Sequence, residues 1–276
     1  MFHSIKVLTK SIIISFAKSL KSNKLGRYFL EQVLNSAMNQ FAQVDHKGFN
    51  LKFTTPNGLN QYRIDTFSTK EPETLDWIDK IPVGSVMWDI GANVGLYSCY
   101  AAKARQCKVF AFEPSIFNME LLTRNIYLNK VTDLVTIVPL ALNDETKTAK
   151  FIMTSTEWGG AVSTFGQTYT QDGSELAKVF EFNTVGMSMD EVVSKLNIPQ
   201  PDYIKMDVDG IEHLILKGGR QVLKNVKGVI VEINEDFEKQ KTDSSLFLLE
   251  AGLKLIDKKH AEMFSQSVCY NQIWGK

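Results

Sequence analysis

The sequence has few cysteines, no excess of either charge and no long apolar run. Its three cysteines, Cys99, Cys107 and Cys269, are an odd number without metal-ligand spacing. That argues against a disulfide framework or a zinc site and for reduced thiols in a cytoplasmic protein. Lysine plus arginine equals aspartate plus glutamate at 31 each, so the formal net charge is zero. A nucleic-acid enzyme usually carries a basic excess, and that class loses ground. No stretch approaches the roughly 20 apolar residues of a membrane span. Internal repeats and low-complexity segments are also missing. What remains is 276 residues, 44% hydrophobic and 22% charged, enough for one large α/β domain with a sizeable core.

One absence is local. Residues 1–30 contain Lys6, Lys10, Lys18, Lys21, Lys24 and Arg27 but no acid. Ile12 to Ala17 looks like the apolar part of a signal peptide, but it is short, and Lys18 and Lys21 follow it in place of a small-residue cleavage site. A basic amphipathic helix fits better. Packing on the domain is its expected role, with contact to a membrane surface as the alternative. Helices are expected over 4–20 and 25–42, making residues 1–48 a helical extension of a domain over 49–276.

The domain is organised around Val86 to Cys99, Val-Met-Trp-Asp-Ile-Gly-Ala-Asn-Val-Gly-Leu-Tyr-Ser-Cys. Val86–Trp88 reads as a buried strand, followed by a tight turn and a helix from about Val94. Gly91 and Gly95 allow a sharp turn and a close ligand approach, and the helix aims unpaired N–H groups back at the turn. Open α/β sheets hold nucleoside-containing cofactors with such units. A dinucleotide fingerprint, Gly-x-Gly-x-x-Gly, would need glycine where Asn93 and Leu96 stand. Asp89 at the mouth of the loop would repel a pyrophosphate and attract an ammonium. S-adenosylmethionine, with an ammonium, a sulfonium and no phosphate, fits Asp-x-Gly-x-Asn-x-Gly better than NAD.

The rest of the chain follows a βα rhythm with one interruption. Residues 49–55 read as a strand ending at Pro56-Asn57-Gly58. Ser68 to Glu71 reads as a capping box opening a helix through Trp77-Ile78. Lys108–Phe112 is a second strand, and Glu113 at its end is placed to take both ribose hydroxyls of an adenosyl group. Asn118–Leu128 is helical. Val135–Leu142 is a third strand, closed by Asn143-Asp144, where an adenine edge could be bound. Residues 145–185 break the rhythm and read as a β-hairpin insertion around Trp158-Gly159-Gly160, with the character of a substrate lid. Ser188–Leu196 is a helix.

In Tyr203-Ile-Lys-Met-Asp-Val-Asp-Gly, Lys205 and Asp207 interrupt an otherwise apolar strand on one face. A buried lysine needs a partner. Asp207 and Glu232 are the candidates, and a structural ion pair is as good a reading as a catalytic edge. Gly210 opens a helix to Leu223 with His213 in its first turn, a plausible proton acceptor or a plain surface histidine. Ser244–Glu250 is a helix, and Leu253–Asp257 with Val268–Trp274 form a final antiparallel edge pair.

Five motifs in order resemble the FkbM family of S-adenosylmethionine-dependent methyltransferases. They are Lys70-Glu71-Pro72-Glu73-Thr74, Trp88 through Ser98, Ala111-Phe112-Glu113-Pro114, Asn125-Ile126 with Asn129, and Lys205-Met206-Asp207-Val208-Asp209-Gly210-Ile211-Glu212. The resemblance covers roughly residues 60–235. Asp209 departs from it, since the family more often has Glu there. It implies a class I methyltransferase (Rossmann-like) fold, a seven-stranded, mostly parallel sheet with helices on both faces. It also implies methyl transfer to oxygen, often a hydroxyl of a sugar or glycosylated metabolite.

On this reading Asp89, Gly91, Asn93 and Gly95 frame the methionine part of the cofactor, Glu113 the ribose, and Leu142 and Asn143 the adenine. Catalysis is then largely alignment, with Asp207 as first and His213 as second candidate for the general base. A divalent ion on Asp207 and Asp209 is a less favoured alternative, because no full hard-ligand set is visible. Rival readings are a protein, lipid or RNA acceptor, an NAD-dependent oxidoreductase, or a scaffold without catalysis. The neutral charge and the lack of an Asn-Pro-Pro-aromatic motif disfavour RNA.

Overall fold

The chain begins with two helices, α1 (Phe2–Leu20) and α2 (Lys24–Met38), in a computed structural model that describes residues 2–260 and 267–276. Asn23 caps α2 by accepting from the Gly26 N–H. The second helix ends before residue 42 because Phe41 starts a strand. β1 (Phe41–His46) pairs antiparallel with β2 (Phe49–Thr54). Lys47 and Gly48, with φ of +50° and +83°, form the two-residue turn between them, the twist that suits a hairpin. The expected packing of the helical extension on the domain is corrected. Ile12, Phe16, Leu25 and Phe29 are exposed, and among the described side chains of α1 and α2 it is Met38, at the end of α2, that joins a small apolar cluster with Val94 and Leu121.

Three short helices follow, α3 (Gly58–Asp65), α4 (Phe67–Lys70) and α5 (Pro72–Asp79). The expected capping box does not form. Pro72 keeps Glu71 out of the helical region, at φ −140° and ψ 65°, and occupies the first position of α5. Ser68 lies inside α4, where its hydroxyl bonds His46 Nδ1 at 2.8 Å.

The domain's main run is β3 (Val86–Ile90), α6 (Leu96–Arg105), β4 (Lys108–Phe112), α7 (Ile116–Asn129) and β5 (Val135–Val138). The expected strand over 135–142 is two strands, because Pro139 cannot donate to a ladder. β6 (Ala141–Leu142) leaves for a second sheet with β7 (Lys147–Met153), β8 (Ser163–Phe165) and β9 (Phe180–Met187), in the order β6-β9-β7-β8. Within it β7 and β9 pair antiparallel across the inserted segment.

The chain returns through α8 (Met189–Leu196), β10 (Tyr203–Met206), α9 (Glu212–Lys217), α10 (Arg220–Asn225), β11 (Gly228–Asn234), α11 (Glu238–Glu250), β12 (Lys254–Lys259) and β13 (Cys269–Gly275). The helix expected over 210–223 is broken at Gly218, where a Cβ would sit 2.3 Å from the Asn143 carbonyl oxygen. The main sheet has seven strands in the order β12-β13-β11-β10-β3-β4-β5, all running in one direction except β13, which is antiparallel to both its neighbours. β13 is interior, between β11 and β12, so only β12 of the expected edge pair is an edge. Alternating side chains of β3 feed two cores. Trp88 and Ile90 pack with Phe112, Leu216 and Leu248 on one face, and Met87 with Leu75, Ala101 and Val109 on the other. All three cysteines are free thiols. No helix among the described residues is long and apolar enough to cross a membrane.

Candidate active site

β3 and β10 are neighbours, but the chain leaves them for opposite halves of the sheet, through β4 on one side and β11 on the other. Ligands of open α/β sheets bind beyond the strand ends at such a switch point. Two cavities open there, one of about 300 Å³ and one of about 60 Å³. They share Gly91, Asn93, Ala161, Asp207 and Asp209 as lining.

The glycine turn makes this junction. Gly91 has φ +79°, and a Cβ there would lie 1.9 Å from the Asp207 carbonyl oxygen, so neither the conformation nor the space admits a side chain. The Gly91 and Ala92 N–H groups donate to the Phe112 carbonyl at 3.1 and 3.0 Å. Asn93 donates its own N–H to Glu113 Oε2 at 2.8 Å, while its Oδ1 is buried without a partner. Gly95 has another task. It lines neither cavity, and a Cβ on it would meet Leu122 Cδ1 at 2.3 Å, so it brings α6 against α7.

Asp89 lies beneath the turn, not at its mouth. It is 1% exposed and lines neither cavity. Its Oδ2 accepts from Ser98 Oγ at 2.5 Å, and its Oδ1 lies 3.6 Å from Lys205 Nζ. The reason is pleat: in the β10–β3 register Asp89 and Lys205 stand side by side, and their side chains share a face.

Phe112, Leu142, Phe151 and Ile211 supply apolar walls to the smaller cavity, and Glu113 is an acid of its own beside the shared Asp207 and Asp209. Burial pushes the Glu113 carboxyl up to about 7, although Ser115 and Asn93 donate N–H groups to it. Leu142, expected beside an adenine, lines this smaller cavity. Asn143 does not: fully buried, it donates Nδ2–H to the Phe165 carbonyl at 3.3 Å and lines neither cavity.

The larger cavity is polar. Lys205 Nζ lies 3.4 Å from Asp207 Oδ2. Burial opposes the ammonium's charge, but Asp207 and Asp89 outweigh it and raise its pKa. Asp207 is held low by Lys205 and Lys70, which overcome its own burial. Burial and the charge of Asp207 push Asp209 up to about 6. Glu232, expected as a partner of Lys205, makes no ion pair with it; Asp89 takes that place. Burial and then Asp207 and Glu71 hold the Glu232 carboxyl well above the usual range.

Arg63, Lys70 and Tyr97 complete the polar wall beside Glu71 and Glu73. Arg63 lies on α3, remote in sequence from the glycine turn, and no local pattern marks it for the site; Tyr97 stands two residues after Gly95, inside the Trp88–Ser98 motif, and its residue type alone gives it no role there. His213 is not brought to the site. It is buried, touches Phe237 edge-on with ring centroids 5.9 Å apart, and lines neither cavity. Both its nitrogens lack partners, and burial lowers its pKa to about 4. Among the described residues no three His, Cys, Asp or Glu converge as a metal-ligand set.

The β7–β8 connection folds over the junction. Asn57 and Asn60 donate to the Trp158 carbonyl at 3.0 and 2.8 Å. Arg63 donates to the Gly159 carbonyl at 2.5 Å. Asn93 and Asn118 donate to the Gly160 carbonyl at 3.0 and 3.1 Å, and Asn118 Oδ1 accepts the Gly159 N–H at 3.0 Å. Asp209 Oδ2 accepts the Val162 N–H at 2.7 Å. Three successive carbonyls are thus satisfied by side chains of the domain, as a buried loop requires.

Residues 89–264 match the family described as methyltransferase FkbM domain. The chain is 27% identical over 208 residues to hexuronic acid methyltransferase AglP of Haloferax volcanii, covering 75% of this chain and 79% of that protein. Its fold is similar to the crystal structure of methyltransferase FkbM from Methylobacillus flagellatus KT, with a TM-score of 0.50 and 14% identity. That alignment covers 71% of this chain, which spans 44% of the length of the crystallised one.

Proposed function

The chain belongs to the FkbM methyltransferase family and is an S-adenosylmethionine-dependent methyltransferase; from that premise we propose that its methyl acceptor is a hydroxyl of a sugar. Two observations support the acceptor class. The relative from Haloferax volcanii carries a sugar acid in its name. The larger cavity is walled by carboxylates, cations and amides in the mixture that polyhydroxylated ligands need for hydrogen bonding.

The observation that carries the reading is the meeting of an apolar, acid-tipped cavity and a polar one at Gly91, Asn93, Asp207 and Asp209. The residues fit the cofactor. Glu113 is placed for ribose hydroxyls, Leu142 and Phe151 for a flat base. Asn93 Oδ1, buried and unpaired, can accept from an ammonium. When bound, the cofactor supplies a methyl group on a sulfonium that departs as a neutral thioether. The chain's part is to hold acceptor and methyl donor in line across the junction and exclude water with the 158–162 loop.

An alcohol needs help losing its proton. Asp207, paired with Lys205 and held low, is a weak base, and His213 lies outside the cavities. Glu232 lines the polar cavity with a raised pKa, the property a carboxylate base needs near neutral pH. We assign it that role and leave Asp207 to orient the acceptor through Lys205.

The test is calorimetric titration with S-adenosylhomocysteine and, separately, NADH, repeated on Glu113→Ala, followed by methyl transfer to a panel of glycosides. Binding of S-adenosylhomocysteine that Glu113→Ala weakens, with turnover on a glycoside, supports the proposal. Failure of every glycoside while a lipid or protein is methylated would refute the acceptor class.

A further inference from the structure

α1 and α2 line neither cavity, and most of the large apolar side chains described between Ile12 and Leu34 face solvent. On α2, Leu25, Tyr28, Phe29 and Val33 recur at steps of three and four residues, which places them on one face. They are 78%, 60%, 52% and 49% exposed. Ile12, Ile13 and Phe16 of α1 add a second exposed apolar group. Regular apolar stripes of this size are normally covered, and a bare one marks an interaction surface.

The charge pattern selects the partner. Residues 1–30 hold six basic residues, and no acid within the segment neutralises them. Since the whole chain balances at zero, the remainder carries a matching acidic excess. A second copy docked through this face would bring two uncompensated basic sets together. An anionic bilayer meets both halves of the pattern, taking apolar side chains at the acyl boundary and lysines at the headgroups. We infer that α1 and α2 form a docking surface for an anionic lipid membrane. Tyr28 and Phe29 sit at interface depth, and Lys18, Lys21, Lys24 and Arg27 meet the headgroups.

The experiment is co-sedimentation of the full chain with vesicles of phosphatidylcholine alone and of phosphatidylcholine mixed with phosphatidylglycerol, at low and high salt. Partition into the mixed vesicles is expected to exceed that into phosphatidylcholine by about tenfold or more and to fall as salt rises. The double variant Leu25→Ser/Phe29→Ser and the triple variant Lys18→Gln/Lys21→Gln/Lys24→Gln should each lose most of it. Both substitute exposed residues, and unchanged S-adenosylhomocysteine binding checks that the domain is folded. Equal partition into both vesicle types would overturn the inference. So would no partition at all, or a stable dimer that Leu25→Ser/Phe29→Ser converts to monomer.

Discussion

Lys205 and Asp89 stand side by side across the β10–β3 pair, Nζ 3.6 Å from Oδ1, with Asp89 beneath the glycine turn and Lys205 between it and the polar cavity. The ammonium is the cation that compensates a carboxylate 1% exposed to water. Lys205→Met leaves Asp89 buried and uncompensated, and breaking such pairs costs about 3–5 kcal/mol. Urea denaturation should show a loss of that order, with part regained in Lys205→Met/Asp89→Leu. A single-variant loss below about 1 kcal/mol would mean that water reaches the pair.

Gly91→Ala collides with the peptide carbonyl of Asp207, not with a flexible side-chain tip. The turn must shift, and the two cavities share that turn. S-adenosylhomocysteine affinity is expected to drop by about tenfold or more, near 1.4 kcal/mol. An unchanged affinity in calorimetry would place the cofactor elsewhere.

Glu232→Gln removes the proposed proton acceptor while keeping its size. Transfer should slow by about a hundredfold or more. With Glu232 intact, kcat should rise with pH through a step well above the range of an ordinary glutamate, because its carboxyl must be ionised to accept a proton and is held protonated by burial and by Asp207. The variant should lose that step. A step that persists in Glu232→Gln assigns the proton to another group.

The sequence disclosed the frame more fully than the site. Lys108–Phe112 and Ser188–Leu196 are bounded by a proline two residues on and by a serine cap, and such signals act locally. The helix expected over 25–42 runs into Phe41 and Ala42 because the preceding pattern is helical and the strand Phe41–His46 exists only by pairing with Phe49–Thr54. Ser68 and Glu71 have capping-box spacing, yet Pro72 decides the geometry; a proline just inside a helix start was the better signal. Asp89 and His213 have the right chemistry, but burial under the turn and behind Phe237 depends on contacts that spacing does not encode. The polar cavity draws on α3, α5, β10, β11 and β13, and only the sheet order brings these together.

His213 makes a stability prediction in place of a catalytic one. Its folded pKa of about 4 lies below the ordinary value of 6.5. Between those pH values the unfolded chain binds more protons, so this group's contribution is lost as pH falls through the window. Glu113 and Glu212, both pushed up to about 7 chiefly by burial, act in the opposite sense, since their protonation favours the folded state at acid pH. His213→Leu should therefore be less sensitive to acid than the wild type in denaturant titrations at pH 6.5 and 4.5, and should keep methyl transfer. Loss of turnover with the fold intact would restore His213 as a candidate base.

Asn118→Ala removes two of the ties on the 158–160 segment at once, the acceptor for Gly159 N–H and a donor to Gly160 carbonyl. Amide hydrogen exchange over residues 157–162 should quicken, and KM should rise more than kcat falls. Exchange unchanged from wild type would show that the remaining ties suffice.

Those ties share a chemical trait. The carbonyls of Trp158, Gly159 and Gly160 are gripped by four asparagine amides and one guanidinium. Amides never gain or lose a proton in the working range, and arginine never loses its own. These five grips therefore carry the same charge in mild acid as in mild base, whereas the tie at Val162 runs to Asp209, whose carboxyl burial and Asp207 push up to about 6. The two ends of the loop thus answer to different variables: acidity would weaken the Val162 end first, while the 158–160 grips respond to warming or to a change in the loop itself.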